Sequence, residues 1–254
     1  MKRRKAGIGI FVIVLIITAV RVKSMDSHRI SGRILAENIA GPGMLRLVEQ
    51  SMQAQAQKTS VTEIAVKEWK HPQAALTFDD GPDIRYTPLL LDGLKERNVR
   101  VSFFLLGEKV EQYPELVERM QKEGHLVGNH TYHHVQLNKL NETKAREEIL
   151  KTNNLIYETT GVYPLYLRPP FGAWKKNLEL CVEMLPVFWT IDTLDWKVQN
   201  TEKIVRTVQE QIEDGAIILM HDEYDTSVEA ALQVVDELKN QGYELVTVDQ
   251  LILP

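Results

Sequence analysis

Five short stretches of this sequence carry side chains able to do acid–base or metal chemistry: Asp79 with Asp80, His130 with His134, Arg168, Asp192 and Asp195 with Trp196, and His221 with Asp222. Adjacent aspartates at the end of an apolar run point to opposite sides of an extended chain. Asp79 and Asp80 therefore cannot share one proton as a dyad and must have separate tasks. An isolated Asp-Asp-Gly is usually only a turn, so this pair carries little weight alone. His130 and His134 lie four apart in HTYHH and share one side if the segment is a helical turn. With one carboxylate they would make a two-histidine, one-aspartate set with an open position for water, the layout of a catalytic divalent metal site. His133 faces another side of such a turn and His125 precedes the apolar part of its strand, so both read as surface or packing histidines. The chain has one cysteine, Cys181, which excludes an intramolecular disulfide and a Cys-rich zinc site.

These side chains need elements that bring them together. From His71 onward, short apolar runs alternate with longer segments of helical period. Strands are predicted at Ala74–Phe78, Val101–Leu106, His125–Val127, Leu165–Arg168, Val187–Ile191, Ala216–Met220 and Glu244–Val246. Helices are predicted at Pro88–Arg97, Lys109–Lys122, Glu142–Thr159, Lys175–Leu185, Thr201–Glu213 and Ser227–Asn240. Gly124, Gly161, Gly215 and Gly242 sit just past helical runs, where a left-handed cap is expected. The alternation predicts an α/β fold of mostly parallel strands, as an open sheet or a (β/α) barrel. All five reactive stretches follow predicted strands directly. Parallel strands aim their C-terminal loops at a common mouth, so the stretches should converge there.

The 254 residues, 26% charged and 44% hydrophobic, suit one enzyme-sized domain with a short appendage. The net charge of -5 hides an asymmetry: residues 1–25 hold six basic and no acidic residues, while residues 26–254 hold 24 basic against 35 acidic. A body that acidic is a poor partner for nucleic acid. Residues 1–24 are read as a signal or membrane anchor: Met1–Lys5 carries four basic residues, Ala6–Val20 is uncharged and mostly apolar, and Arg21 follows. The apolar run is short against the ~20 residues of a full span. Arg21 and Lys23 could snorkel, and Ala-x-Ala is absent, which favours an uncleaved single-pass anchor over cleavage near Ser24. The positive-inside bias then places the acidic body outside the membrane. Residues 25–70, with Gly41-Pro42-Gly43 and a Gln-rich stretch, read as a tether that is irregular or partly helical, and residues 71–254 as the catalytic domain.

TFDDGP (77–82), HTYHH (130–134), RPPFG (168–172), DTLDW (192–196) and LMHD (219–222) together resemble the five ordered motifs of the polysaccharide deacetylase family, also called the NodB-homology or carbohydrate esterase family 4 domain. The resemblance covers His71 to about Val248. It implies a distorted (β/α) barrel of the NodB-homology type and removal of N-acetyl or O-acetyl groups from polysaccharides. It implies Asp79 as general base, with Asp80, His130 and His134 as ligands of a divalent metal, zinc first and cobalt or another divalent ion as alternatives. It also implies His221 as general acid paired with Asp195, with Asp192 an open alternative. Arg168 would orient Asp79, the Phe171 N–H would help hold the oxyanion, and Trp196 and Leu219 would line the acetyl pocket. Family members usually carry Tyr at position 171; Phe keeps the backbone donor.

The activity so implied is N-deacetylation of N-acetylglucosamine residues in a cell-wall polysaccharide, peptidoglycan, by an enzyme tethered outside the membrane. Chito-oligosaccharide deacetylase and O-acetyl-xylan esterase are the alternatives, and a non-catalytic glycan-binding wall protein is the alternative of another class. Asp80 argues against the subgroup with Asn at that position, which resembles enzymes acting on N-acetylmuramic acid. Adjacent aspartates cannot flank a glycosidic bond, and no Gly-x-Ser-x-Gly elbow occurs, so glycosidase and serine hydrolase readings fail. No protein partner is implied. Trp174 reads equally as a sugar platform or a core residue.

Overall fold

A computed structural model describes residues 71–174 and 184–252. The predicted anchor and tether, and residues 175–183 of the predicted Lys175–Leu185 helix with Cys181, lie outside the described residues. Among the described residues no helix is long and apolar enough to cross a membrane.

The chain runs β1 (Gln73–Asp79), α1 (Tyr86–Glu96), β2 (Ser102–Leu105), α2 (Gly107–Gln112), α3 (Pro114–Lys122), β3 (Leu126–Asn129), α4 (Glu142–Thr160), β4 (Tyr166–Leu167), β5 (Leu185–Pro186), β6 (Ile191–Asp192), α5 (Asp195–Val198), α6 (Thr201–Gln211), β7 (Ala216–His221), α7 (Asp225–Asn240), β8 (Glu244–Leu245) and α8 (Val248–Ile252). Every strand pairing is parallel, in the order β5-β4-β3-β2-β1-β7-β6, with β8 beside the start of β1. The central strand β1 is buried along its whole length, as a parallel strand covered on both faces must be. Its period of two divides it. Ala74, Leu76 and Phe78 join the core under the helices, while Ala75, Thr77 and Asp79 line the concave side.

The sheet is strongly curled. Across a flat sheet, β4 and β1 would lie three strand spacings apart, about 14 Å. Yet Arg168, just after β4, places Nη1 2.8 Å from Asp79 Oδ1 at the end of β1. Curling brings the two together and gives a parallel, barrel-like α/β architecture. Among the described residues β5 and β6 do not pair with each other. The covalent chain crosses the seam instead: the Val187 N–H bonds to Leu167 O on one edge, and the Thr190 N–H to Ile217 O on the other. This corrects the predicted strand Val187–Ile191. Its apolar residues are a crossing segment between two short edge strands, and Leu185, expected to end a helix, begins β5.

The predicted Lys109–Lys122 helix is two helices. Pro114 disfavours the helical region for the residue before it, so Tyr113 (φ -133°) breaks the run and Pro114 takes the first position of α3. The four glycines expected past helical runs all have positive φ, with Gly161 capping α4.

His125 lies at the opposite end of the strands from the reactive stretches. Its ring packs edge-on against Phe103, with centroids 5.4 Å apart, and its Nδ1 accepts from the Val101 N–H at 3.1 Å, the packing role expected of it. Burial pushes its pKa down to about 4 from 6.5. The unfolded chain therefore binds the extra proton between these values, and the fold should lose on the order of 3 kcal/mol as pH falls from 6.5 to 4. Urea unfolding of wild type and His125→Asn across that range checks this; the asparagine variant, which keeps an acceptor for Val101, should lack most of the slope.

Candidate active site

Parallel register builds the site. In the β1–β7 ladder Asp79 pairs with His221 and Thr77 with Leu219, so strand ends carry Asp79, His221 and Leu219 to one mouth. A cleft of about 510 Å³ opens there, lined by Asp79, Asp80, His130, His134, Phe171, Trp189, Asp192, Trp196, Leu219, His221, Glu223 and Tyr224.

Asp79 is buried and its Oδ1 accepts from Arg168 Nη1. Arg168 is fully buried: Nη1 also reaches Thr77 Oγ1 at 2.6 Å, and the guanidinium stacks 4.2 Å over the Phe104 ring. Burial lowers the pKa of Arg168, with the Asp79 charge opposing. A buried guanidinium held by Asp79, Thr77 and the Phe104 ring fixes the orientation of its carboxylate partner, which leaves Asp79 Oδ2 facing the cleft, 3.7 Å from His130 Nε2.

Asp80 turns away from Asp79 because its backbone is left-handed, with φ at 67°. Its Oδ1 lies 3.3 Å from His130 Nε2 and 3.4 Å from His134 Nε2. Ligand atoms at ~2.05 Å from a tetrahedral ion are about 3.3 Å from one another. Asp80 Oδ1 is buried without a hydrogen-bond partner, as a carboxylate oxygen reserved for a cation would be. Burial alone would raise the Asp80 pKa, but His130, His134 and His221 outweigh it and hold the carboxyl well below the ordinary range. His130 Nδ1 lies 2.6 Å from Arg168 O; donating there fixes the tautomer and leaves Nε2 free as a ligand. Burial lowers the His134 pKa, which favours the neutral, ligating form. Asp80, His130 and His134 thus fit a divalent cation by spacing, tautomer and charge.

The two histidines converge by a route the sequence did not predict. Residues 130–136 form no helical turn; Thr131 and His134 have φ of 67° and 54°, and this loop brings the rings to 5.0 Å. Of the seven non-glycine residues with positive φ among those described, five (Asp80, Thr131, His134, Phe171 and Leu194) lie in or beside the cleft. Each costs about 1–3 kcal/mol, a cost that clusters at functional sites.

On the other side of the cleft, His221 Nδ1 lies 2.8 Å from Asp195 Oδ1, and the His221 N–H bonds to Asp195 Oδ2 at 2.7 Å. Asp192, the open alternative, instead accepts from the Leu194 N–H. Burial opposes charge on His221, but Asp195, with Asp79 and Asp80 adding, lifts its pKa to about 9. The pair with Asp195 thus favours the imidazolium form of the ring.

Phe171 is 62% exposed, and no hydrogen bond from its N–H is found among the described residues. Trp196, 48% exposed, and buried Leu219 complete the lining. Trp174 is partly buried against Leu137, Ala145, Ile149 and Leu167, which makes it a core residue rather than a platform. His133 turns away to Glu148 Oε1, at 2.8 Å. Sequence reading missed Trp189, Glu223 and Tyr224 in the lining; Glu223 and Tyr224 follow LMHD directly, and that proximity was the one available signal.

Asp222 does not face the cleft. It is buried, takes a hydrogen bond from Thr87 Oγ1, and lies against Gly81. A Cβ at residue 81 would sit 2.5 Å from Asp222 Oδ1. Gly81→Ala should therefore cost about 1–3 kcal/mol in urea unfolding, the usual range for overpacking, and weaken metal binding by displacing Asp80.

A curled parallel sheet whose strand ends hold a cation-ready His/His/Asp corner between a clamped carboxylate and a carboxylate-paired histidine defines an α/β protein built for acid–base chemistry on a polarised bond. Comparison with known proteins assigns its family. The family described as polysaccharide deacetylase matches residues 67–188. The chain is 43% identical over 177 residues to the peptidoglycan-N-acetylglucosamine deacetylase PgdA of Listeria monocytogenes, covering 70% of this chain and 38% of that protein. It is 40% identical over 186 residues to a peptidoglycan-N-acetylglucosamine deacetylase of Bacillus cereus, covering 70% and 68%. With the peptidoglycan-N-acetylmuramic acid deacetylase PdaC of Bacillus subtilis it shares 43% identity over 177 residues, covering 70% and 38%. The solved structure of PdaC superposes with a TM-score of 0.70 at 42% identity, covering 72% of this chain and 91% of that one. The chain belongs to the polysaccharide deacetylase family. It matches about 38% of the length of the Listeria and Bacillus subtilis relatives.

Proposed function

We propose that this protein is a metal-dependent hydrolase that removes N-acetyl groups from N-acetylglucosamine residues of peptidoglycan and releases acetate. The observation that carries the reading is the cluster of Asp80, His130 and His134 set between Asp79 Oδ2 and the His221 ring. A divalent metal, zinc in our reading, would be held by those three residues and would lower the pKa of bound water from ~15.7 to as low as ~7 while polarising the acetyl carbonyl. Asp79, held by Arg168, takes the proton of the attacking water on its free Oδ2. The Phe171 N–H would donate to the developing oxyanion, a contribution of roughly 3 kcal/mol when well placed. His221, charged by Asp195, gives its proton to the departing glucosamine nitrogen. Trp196 and Leu219 enclose the acetyl methyl and keep bulk water out.

Identity of 43% to relatives named for N-acetylglucosamine and for N-acetylmuramic acid alike does not separate the two sugars. Asp80 as a ligand, in place of Asn, supports the glucosamine reading. The apolar run at Ala6–Val20 behind four basic residues supports a single-pass anchor with the enzyme outside the membrane, facing the wall. Incubation with peptidoglycan, chitin oligomers and acetylxylan, read by mass spectrometry, tests the substrate. Loss of acetyl from the glucosamine residues of peptidoglycan is expected. Loss confined to muramic acid, or to xylan, would refute it.

A further inference from the structure

We propose that Glu148, on α4 and outside all five motifs, is a positioning residue that presets the His134 imidazole for the metal; the inference rests on the metal-centre reading above. The two histidine ligands are held differently. His130 is fixed twice, by its N–H to Leu105 O at 2.9 Å and by its Nδ1 against Arg168 O. No hydrogen bond to the His134 ring or amide is found among the described residues; the path of the loop, with the Phe171 ring packed 4.5 Å away, sets its direction. That path bends through left-handed Thr131 and His134, a conformation a non-glycine loop does not keep unaided. Glu148 adds a side-chain anchor to two backbone bonds from α2, Gly107 N–H to Thr131 O at 2.9 Å and Glu108 N–H to Tyr132 O at 3.3 Å. Its Oε2 accepts from two consecutive backbone N–H groups, Tyr132 at 3.0 Å and His133 at 2.9 Å, and its Oε1 meets His133 Nδ1. Helix α4, which carries it, is tied to β3 in turn: Asn129 Nδ2 donates to Ile149 O and Asn153 Oδ1, and Asn129 Oδ1 accepts from the Thr131 N–H. Helix α4 thus holds the loop at the amides of Tyr132 and His133, and α2 holds it at the carbonyls of Thr131 and Tyr132.

The test is zinc affinity of the purified full chain, by competition with a chromophoric chelator, with near-ultraviolet circular dichroism of each metal-free protein alongside. Glu148→Ala should weaken zinc binding about 10–100-fold, the range for loss of an outer-shell partner. Glu148→Gln, nearly the same shape with one acceptor oxygen fewer, should fall between it and wild type. His133→Ala, which leaves both amide bonds to Glu148, should stay within about threefold of wild type, well short of an outer-shell loss. The absorption of the cobalt-substituted glutamine variant should also differ from that of wild type, because the His134 ligand has moved. Wild-type zinc affinity in both Glu148 variants would overturn the proposal while leaving the metal centre standing. So would a lost dichroism signal in the metal-free glutamine variant, since Glu148 would then be building the fold. Failure of the wild-type chain to bind zinc would remove the metal centre and this inference together.

Discussion

Asp79→Asn should lower kcat/KM for acetate release by roughly 10²–10⁴, the usual range for removing a general base, and leave the metal content unchanged. Asparagine keeps an oxygen for Arg168 and nearly the same volume, so the clamp at Nη1 survives, but the amide cannot take a proton from water. The substitution also has a cost in stability. Arg168 is fully buried and Asp79 is the carboxylate that pairs with it. Uncovering a buried charge costs about 3–5 kcal/mol when its partner is removed outright, less when a polar isostere stays. The two effects are separated by measuring turnover well below the melting temperature of the variant. Full-rate turnover by folded Asp79→Asn would remove the base from the mechanism.

The second large effect is expected at the ligands. His130→Ala should weaken metal binding beyond about 100-fold, the upper end of what losing an outer-shell partner costs, and should lower activity by roughly 10³ or more, because Lewis-acid stabilisation is worth several kcal/mol. His130 has no substitute among its neighbours: it is buried, its Nε2 stands 3.3 Å from Asp80 Oδ1, and its other nitrogen is committed to Arg168 O. Saturating zinc should restore only part of the loss. Metal analysis together with acetate release across a zinc titration reads both quantities.

The sequence made the site more legible than its geometry. Reactive residues after apolar runs implied a shared mouth, and the register that pairs Asp79 with His221 brings that about. Periodicity reported where strands and helices lie, because burial on a face repeats along an element. It could not report the curl that lets Arg168 span from β4 to β1, since curl is a property of the whole sheet. It misjudged Val187–Ile191 for a related reason: a buried crossing segment needs the same apolar residues as a buried strand. The convergence of His130 and His134 was predicted by helical spacing and is produced by two left-handed loop residues instead. The Asp195–His221 pair could not be chosen over Asp192 by composition, because both carboxylates belong to the same short motif and only the backbone turn at Leu194 separates their directions.

The most direct measurement is acetate release from an N-acetylglucosamine polymer by purified protein stripped of metal and then titrated with zinc or cobalt. The stripped protein should release none, and activity should rise to a plateau near one equivalent of metal, the count that one His/His/Asp set allows. Undiminished release by the stripped protein, or none at any metal concentration, would contradict the account.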